Sequence, residues 1–133
     1  MYDPLVNSNI GRNAAYPASY WAQHTDSRVN TSALQQDITT DVVVVGGGYT
    51  GLSCAYQLAT RFSRDVTLLE ANQAGWGCSG RNAGFVLKSS GRKPYSVMRS
   101  HYGEAAMRGI YNEFCEGLET VKSLIATGID CDQ

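Results

Sequence analysis

A run of four valines that leads directly into three glycines constrains the fold of this chain more than any other feature. Residues 42–45 show no polar alternation, which is typical of a parallel strand covered on both faces. Apolar residues at helical spacing follow the glycines, and residues 66–70 have the composition of a second strand. Because strand, tight turn, helix and strand occur in this order, residues 41–70 predict a right-handed βαβ unit with parallel strands.

The glycines of the turn have separate physical roles. Gly46 permits the sharp bend out of the strand, Gly48 leaves space for a pyrophosphate beside the main chain, and Gly51 lets the helix pack closely on the strands. The helix directs unpaired N–H groups and the positive end of its dipole at the phosphates. Glu70 ends the second strand, where its carboxylate can accept hydrogen bonds from a ribose diol and would repel the 2′-phosphate of NADP. This combination predicts a dinucleotide site instead of a purely structural glycine turn, and at this stage both FAD and NAD fit it.

An irregular N-terminal arm is expected over residues 1–40, which are polar and rich in Asn, Ser, Thr and Gln. Three of its aromatic residues, Tyr16, Tyr20 and Trp21, are expected to attach the arm to a neighbouring surface. The arm lacks the apolar core of a secretion signal, and no apolar run in the sequence is long enough to span a bilayer. We therefore expect a cytoplasmic protein without membrane contact.

Three further segments follow the βαβ unit and complete a partial domain over residues 41–133. Residues 71–94 form a long connection with five glycines. Residues 95–127 are predicted to be helical, with a short stretch up to Gly103 and a longer helix beyond it that carries a continuous apolar stripe. The stripe consists of Ile110, Phe114, Leu118, Val121 and Ile125. Residues 129–133 are expected to begin another strand.

Composition and charge argue against several other classes of function. The formal net charge is -1, so no overall field favours nucleic acid or an acidic membrane. The five basic residues between Arg81 and Arg99 are interpreted as a solvated face and not as an anion site. Four irregularly spaced cysteines and two isolated histidines offer no converging set of metal ligands. We therefore expect reduced structural thiols, no metal site and no nucleic-acid partner.

Three segments carry a resemblance to a known family: DVVVVGGGYTGLSCAYQLA over residues 41–59, LLEANQAGWGCSGRNAGFV over 68–86 and GIDCD over 128–132. Together they resemble the glycine/D-amino-acid oxidase (DAO) family of FAD-dependent oxidoreductases. Within it they are most similar to the gamma-glutamylputrescine oxidase branch, whose N-terminal arm the SYWAQ stretch at 19–23 also resembles. The resemblance implies an α/β fold, in which this chain supplies the N-terminal βαβ part of a Rossmann-like FAD-binding domain, with an incomplete parallel sheet and a long helix.

The resemblance also implies contacts with FAD in the loop after Glu70. In that family this loop wraps the pyrophosphate and reaches the flavin. Ser79 and Asn82 can donate hydrogen bonds there, and Arg81 can offset the charge of phosphate or reduced flavin. Cys78 stands where relatives commonly have alanine, and we interpret it as a small packing residue instead of a covalent flavin attachment site. The implied cofactor-binding residues are Gly46, Gly48, Tyr49, Thr50, Gly51, Glu70, Ala71, Ser79, Gly80, Arg81, Asn82, Ala83 and Gly84.

The implied activity of the intact enzyme is oxidation of a C–N bond in a small-molecule amine or amino acid, such as gamma-glutamylputrescine, with dioxygen as acceptor. His101 is an isolated histidine near a helix end, so no general base and no catalytic residue is assigned. Relatives are several times longer, and two strands alone leave apolar faces uncovered. We therefore expect an N-terminal fragment that is unstable and inactive alone. Two alternatives stay open: a fragment of an NAD-dependent dehydrogenase, and a truncated remnant without catalysis.

Overall fold

A computed structural model describes residues 15–16, 18–24, 31–89, 91–129 and 131 of the chain. It divides into two compact units, Met1–Ala83 and Gly84–Gln133. The first unit contains α1 (Tyr20–His24), β1 (Val42–Val45), α2 (Tyr49–Phe62), β2 (Val66–Leu69) and a 3-10 turn (Cys78–Gly80), and the second contains α3 (Tyr95–Ile125). No helix in the described part of the chain is long and apolar enough to cross a bilayer.

The two strands form a parallel pair, as the sequence predicted. Val42 lies opposite Val66 and Val45 lies opposite Leu69. The Gly46 N–H continues the ladder by donating to the carbonyl of Leu69 at 2.7 Å. Helix α2 connects the strands and packs against both. The structure therefore confirms the α/β class and the βαβ arrangement.

The sheet is open at β1. In the described part of the chain it contains β1 and β2 alone, and alternate side chains of β1 face solvent. Val43 is 52% exposed and Val45 is 82% exposed. A strand of four valines is suited to burial on both faces, so these exposures agree with the predicted incomplete sheet.

Helix α2 begins directly at the glycine turn and ends in a left-handed residue. Gly48 is its N-cap residue and provides no side chain for capping. At the other end, Ser63 has φ 49° and its N–H donates to the carbonyl of Leu58. A C-terminal residue in this conformation satisfies a carbonyl that the last turn leaves without an intrahelical donor.

The second unit is dominated by α3, which is interrupted at one glycine. Gly103 has φ 85° and ψ 166°, a conformation that is essentially restricted to glycine. Met98 precedes this break and is 5% exposed. The five positions of the predicted apolar stripe all lie after the break and are half-buried, as the helical spacing requires.

Two segments differ from their sequence predictions or extend beyond the described residues. Within the arm predicted to be irregular, α1 forms a short helix, whereas residues 31–40 have no regular structure. Of the strand expected over residues 129–133, Ile129 and Cys131 are not part of any strand. The other three positions of that prediction, and much of the arm, lie outside the described residues.

Candidate dinucleotide site

The turn after β1 is closed so tightly that two positions admit only glycine. Gly46 has φ 105°, which places it where a side chain is strained. A Cβ atom added to Gly51 would lie 1.9 Å from the carbonyl oxygen of Gly46 and 3.4 Å from Cγ1 of Val44. The first turn of α2 therefore packs directly on the end of β1, as expected for the third glycine of a dinucleotide-binding turn.

The N-terminus of α2 is capped from a distant part of the chain. The Tyr49 N–H donates to Oγ of Ser79 at 2.9 Å, although Ser79 is 30 residues further along the chain. A Cβ atom at Gly48 would lie 2.9 Å from the same oxygen. The hydroxyl of Ser79 thus lies beside the space that Gly48 leaves open. N–H groups of a first helical turn have no acceptor within the helix, and Ser79 satisfies one of them.

Glu70 is held by the main chain through both carboxylate oxygens. The Gly47 N–H donates to Oε2 at 2.6 Å, and the Asn72 N–H donates to Oε1 at 3.0 Å. An ionised carboxylate has about four acceptor positions, so Glu70 can still accept hydrogen bonds from a ligand. The acid that was predicted to bind a ribose therefore also joins the end of β2 to the glycine turn.

The loop after Glu70 is tied to the same turn. The Gly75 N–H donates to the carbonyl of Gly47 at 2.8 Å. Asn82 donates through Nδ2 to the carbonyl of Ser79 at 2.7 Å and reaches the hydroxyl of Tyr49 at 3.4 Å. Residues 79 and 82 and the start of α2 consequently form one hydrogen-bonded group.

Five of the predicted residues are less closely connected to this group. Arg81 points within its own loop, because its Nε donates to the carbonyl of Trp76 at 2.7 Å and its guanidinium lies 4.2 Å from the centre of the Trp76 ring. Thr50, Ala71 and Ala83 are exposed. Gly84, the last predicted residue, belongs to the second unit, where it has φ 75°.

The N-terminal arm contributes contacts that the predicted site did not include. The Tyr16 hydroxyl lies 3.1 Å from the carbonyl of Gly75 and 3.3 Å from that of Gly80. Trp21 Nε1 donates to the carbonyl of Asn82 at 2.8 Å. The aromatic composition of the arm indicated attachment to some surface, but nothing in the sequence identified this loop as that surface.

Comparison with known proteins identifies the family. The sequence model of the DAO family, described as FAD dependent oxidoreductase, matches residues 41–133. The chain belongs to this FAD-dependent oxidoreductase family. It is 40% identical to gamma-glutamylputrescine oxidoreductase of Escherichia coli (strain K12) over 118 residues, which cover 88% of this chain and 27% of that protein. It is 57% identical to the probable oxidoreductase OrdL of Rhizobium meliloti (strain 1021) over 44 residues, or 33% of this chain and 10% of that protein.

These relatives are much longer than the chain. For the three relatives that match the chain over most of its residues, the match covers 27%, 24% and 28% of the relative's own length. No solved structure matches significantly. Family membership makes FAD the expected cofactor, which confirms the resemblance drawn from the sequence.

The described residues fit the ADP part of FAD. An added Cβ atom would lie 2.9 Å from Ser79 Oγ at Gly48 and 1.9 Å from the Gly46 carbonyl oxygen at Gly51, so glycine at these positions keeps the space beside the N-terminus of α2 open and the helix close to the turn. Ser79 can donate its hydroxyl hydrogen to a phosphate oxygen, and Glu70 can accept from ribose hydroxyls. Within the described part of the chain, no group of three or more His, Cys, Asp or Glu side chains is arranged to hold a metal ion.

Proposed function

We propose that this chain binds the ADP part of FAD in an oxidase that acts on a C–N bond of a small amine or amino acid. The observation that carries the proposal is the close association of three groups: the N-terminus of α2, the glycine turn and the carboxylate of Glu70. The Gly47 N–H joins the turn to Glu70 at 2.6 Å, and Ser79 lies at the helix terminus. Membership of the DAO family supports the choice of FAD over NAD.

Each group has a defined task in this proposal. The first-turn N–H groups of α2 and the hydroxyl of Ser79 bind pyrophosphate oxygens, since a helix N-terminus favours negative charge. Glu70 orients the ribose by accepting from its hydroxyls, while its hydrogen bonds from Gly47 and Asn72 keep the carboxylate in place. Asn82 holds the backbone of Ser79, so the hydroxyl stays beside the helix terminus.

The chemistry itself depends on the bound cofactor. Held by the glycine turn, Ser79 and Glu70, FAD would supply the redox chemistry: it would accept a hydride from the carbon that bears the amine and pass two electrons, with two protons, to dioxygen to give hydrogen peroxide, and water would hydrolyse the imine product. The residues described here bind and orient; none of them is assigned as a catalytic acid or base. The name of the Escherichia coli relative makes gamma-glutamylputrescine the first substrate to test in the whole protein.

Ligand titrations test the cofactor assignment. We expect FAD and ADP to bind the whole protein that contains this chain in calorimetry, because the chain alone is expected to be unstable, and NADP⁺ to bind far more weakly because Glu70 repels its 2′-phosphate. Gly48→Ala should greatly reduce FAD affinity, since its methyl group occupies the space meant for the pyrophosphate. Its fold should survive, because the atom it meets belongs to a Ser79 side chain that can rotate.

The matched control is Gly117→Ala, whose added methyl group meets nothing within 4 Å. It should bind FAD like the unmodified chain. Binding of NAD⁺ in preference to FAD would support the dehydrogenase alternative instead. If the whole protein produced no hydrogen peroxide from any amine or amino acid, the oxidase part of the proposal would be wrong, whatever the FAD affinity.

A further inference from the structure

Side chains of the N-terminal arm donate hydrogen bonds to the loop that follows Glu70. The Tyr16 hydroxyl lies within reach of the carbonyls of Gly75 and Gly80, at 3.1 and 3.3 Å. A phenol has one hydrogen to donate, so the two carbonyls share it. Trp21 Nε1 donates to the carbonyl of Asn82 at 2.8 Å. Both ends of the loop are therefore held by arm side chains.

A reciprocal contact runs from the loop to the arm. Trp76 Nε1 donates to the carbonyl of Ala15 at 3.3 Å. The fit is close around Tyr16, because a Cβ atom at Gly80 would lie 1.8 Å from its hydroxyl oxygen. The same atom would lie 2.3 Å from the carbonyl oxygen of Gly75. Glycine at position 80 is thus needed both for the arm to approach and for the loop to close on itself, and these requirements are separate from any contact with a cofactor.

A main-chain hydrogen bond joins the loop that the arm holds to the glycine turn. Gly75 accepts from Tyr16 through its carbonyl and donates through its N–H to the carbonyl of Gly47 at 2.8 Å. Gly47 in turn donates to Glu70. At the other end of the loop, Ser79 accepts from the first N–H of α2. Displacement of the arm would therefore release the groups proposed to bind pyrophosphate and ribose.

We propose that Ala15, Tyr16 and Trp21 form a strap that holds the cofactor loop, residues 75–82, against the glycine turn. In this role Tyr16 and Trp21 are positioning residues for the dinucleotide, an inference that rests on the proposed function. Contacts between residues 59 to 64 positions apart restrict a glycine-rich loop that would otherwise sample many conformations. A loop that is ordered in advance loses less entropy on binding, which raises affinity without any new contact to the ligand.

The test compares the full chain with Tyr16→Phe and with a matched control, Tyr102→Phe. Tyr102 is 57% exposed, and its hydroxyl makes no hydrogen bond within the described residues. Limited trypsin digestion compares the rate of cleavage after Arg81, inside the cofactor loop, with the rate of cleavage after Arg92 in the second unit. Loss of one hydrogen bond should raise the Arg81 rate relative to the Arg92 rate about three- to tenfold in Tyr16→Phe.

Tryptophan emission gives a second measurement that needs no cofactor. The chain has two tryptophans, Trp21 and Trp76, and both belong to the contact between strap and loop. We expect the emission of Tyr16→Phe to shift to longer wavelength as these rings become more hydrated, while Tyr102→Phe emits like the unmodified chain. The dissociation constant for FAD should rise about three- to tenfold in Tyr16→Phe alone.

Two results would overturn the strap. Tyr16→Phe could match Tyr102→Phe in cleavage and emission, or its cleavage could rise equally after Arg81 and Arg92, which would indicate general unfolding. Failure of the proposed function is distinguishable from these. If the unmodified whole protein bound no FAD while Tyr16→Phe still released the loop, the cofactor assignment would be wrong and the strap would stand as a structural device.

Discussion

Substitution of Gly51 by alanine tests how tightly α2 packs on the glycine turn. The new methyl carbon would lie 1.9 Å from the Gly46 carbonyl oxygen, whereas such contacts are essentially never shorter than 3.0 Å. Helix and turn must therefore separate by about 1 Å, because the obstructing atom belongs to the backbone and cannot rotate away. Overpacking of this kind costs about 1–3 kcal/mol or more, against a gain of at most about 1 kcal/mol from the higher helix propensity of alanine. We expect a net loss of about 2 kcal/mol in the free energy of unfolding.

Urea unfolding followed by far-ultraviolet circular dichroism measures this loss. Gly117→Ala is the matched control, since it makes the same change inside a helix but in open space. It should stabilise the chain by about 0.5–1 kcal/mol. The two substitutions are thus expected to have opposite signs. A free energy of unfolding for Gly51→Ala equal to or above that of the unmodified chain would refute this prediction, because the close approach of α2 to the turn would then contribute nothing to stability.

Three further predictions concern single side chains. Glu70→Ala should lower the free energy of unfolding by about 1–3 kcal/mol, because it removes the acceptor for two main-chain N–H groups. Glu70→Gln retains one oxygen, so its urea midpoint should lie between those of Glu70→Ala and the unmodified chain. An unchanged midpoint for Glu70→Ala would contradict this prediction. Ser79→Ala should speed hydrogen exchange at the Tyr49 amide and destabilise the start of α2 by about 1 kcal/mol, as loss of a helix cap does, and unchanged exchange there would argue against the cap. The pKa of the Glu119 carboxyl lies below its usual range because Lys122 donates to it at 2.7 Å. Its small contribution to stability is present above the usual carboxyl pKa and is lost as pH falls through the lowered value; an NMR titration of Lys122→Met should return the pKa towards its usual range, and no change would exclude Lys122 as the cause.

The parts of the fold that depend on residues close together in the chain were predictable from the sequence. Four valines before a glycine turn and a second apolar run after a helical segment require a parallel pair, because a crossover helix lies between the strands. The roles of Gly46 and Gly51 followed from backbone conformation and space. Both arguments concern residues that are neighbours in the chain, or that a short crossover brings together.

The remaining features depend on where distant segments of the chain come to lie. The Ser79 cap on α2 joins residues 30 positions apart, and the contacts of Tyr16 join residues 59 and 64 positions apart. No periodicity encodes such pairings. That Arg81 offsets the charge of phosphate or reduced flavin stays a prediction. A long side chain in a loop has several partners within reach, and the sequence did not indicate that its guanidinium would lie over the Trp76 ring. The prediction of a strand at Ile129 depended on a pairing partner that composition cannot supply.

The hydrogen bond from Gly47 to Glu70 has a consequence for any attempt to redesign nucleotide preference in this scaffold. Removal of the acid is the obvious route to admit a 2′-phosphate, but it also leaves the Gly47 N–H without its acceptor at the bend of the chain. A successful redesign has to provide a neutral oxygen at the same point, as glutamine or a serine reaching from a neighbouring position would. Position 70 is thus restricted twice, once by the proposed ribose contact and once by the hydrogen bond from Gly47. Glu70→Gln separates the two restrictions, because it removes the negative charge and keeps an oxygen that can accept from the Gly47 N–H.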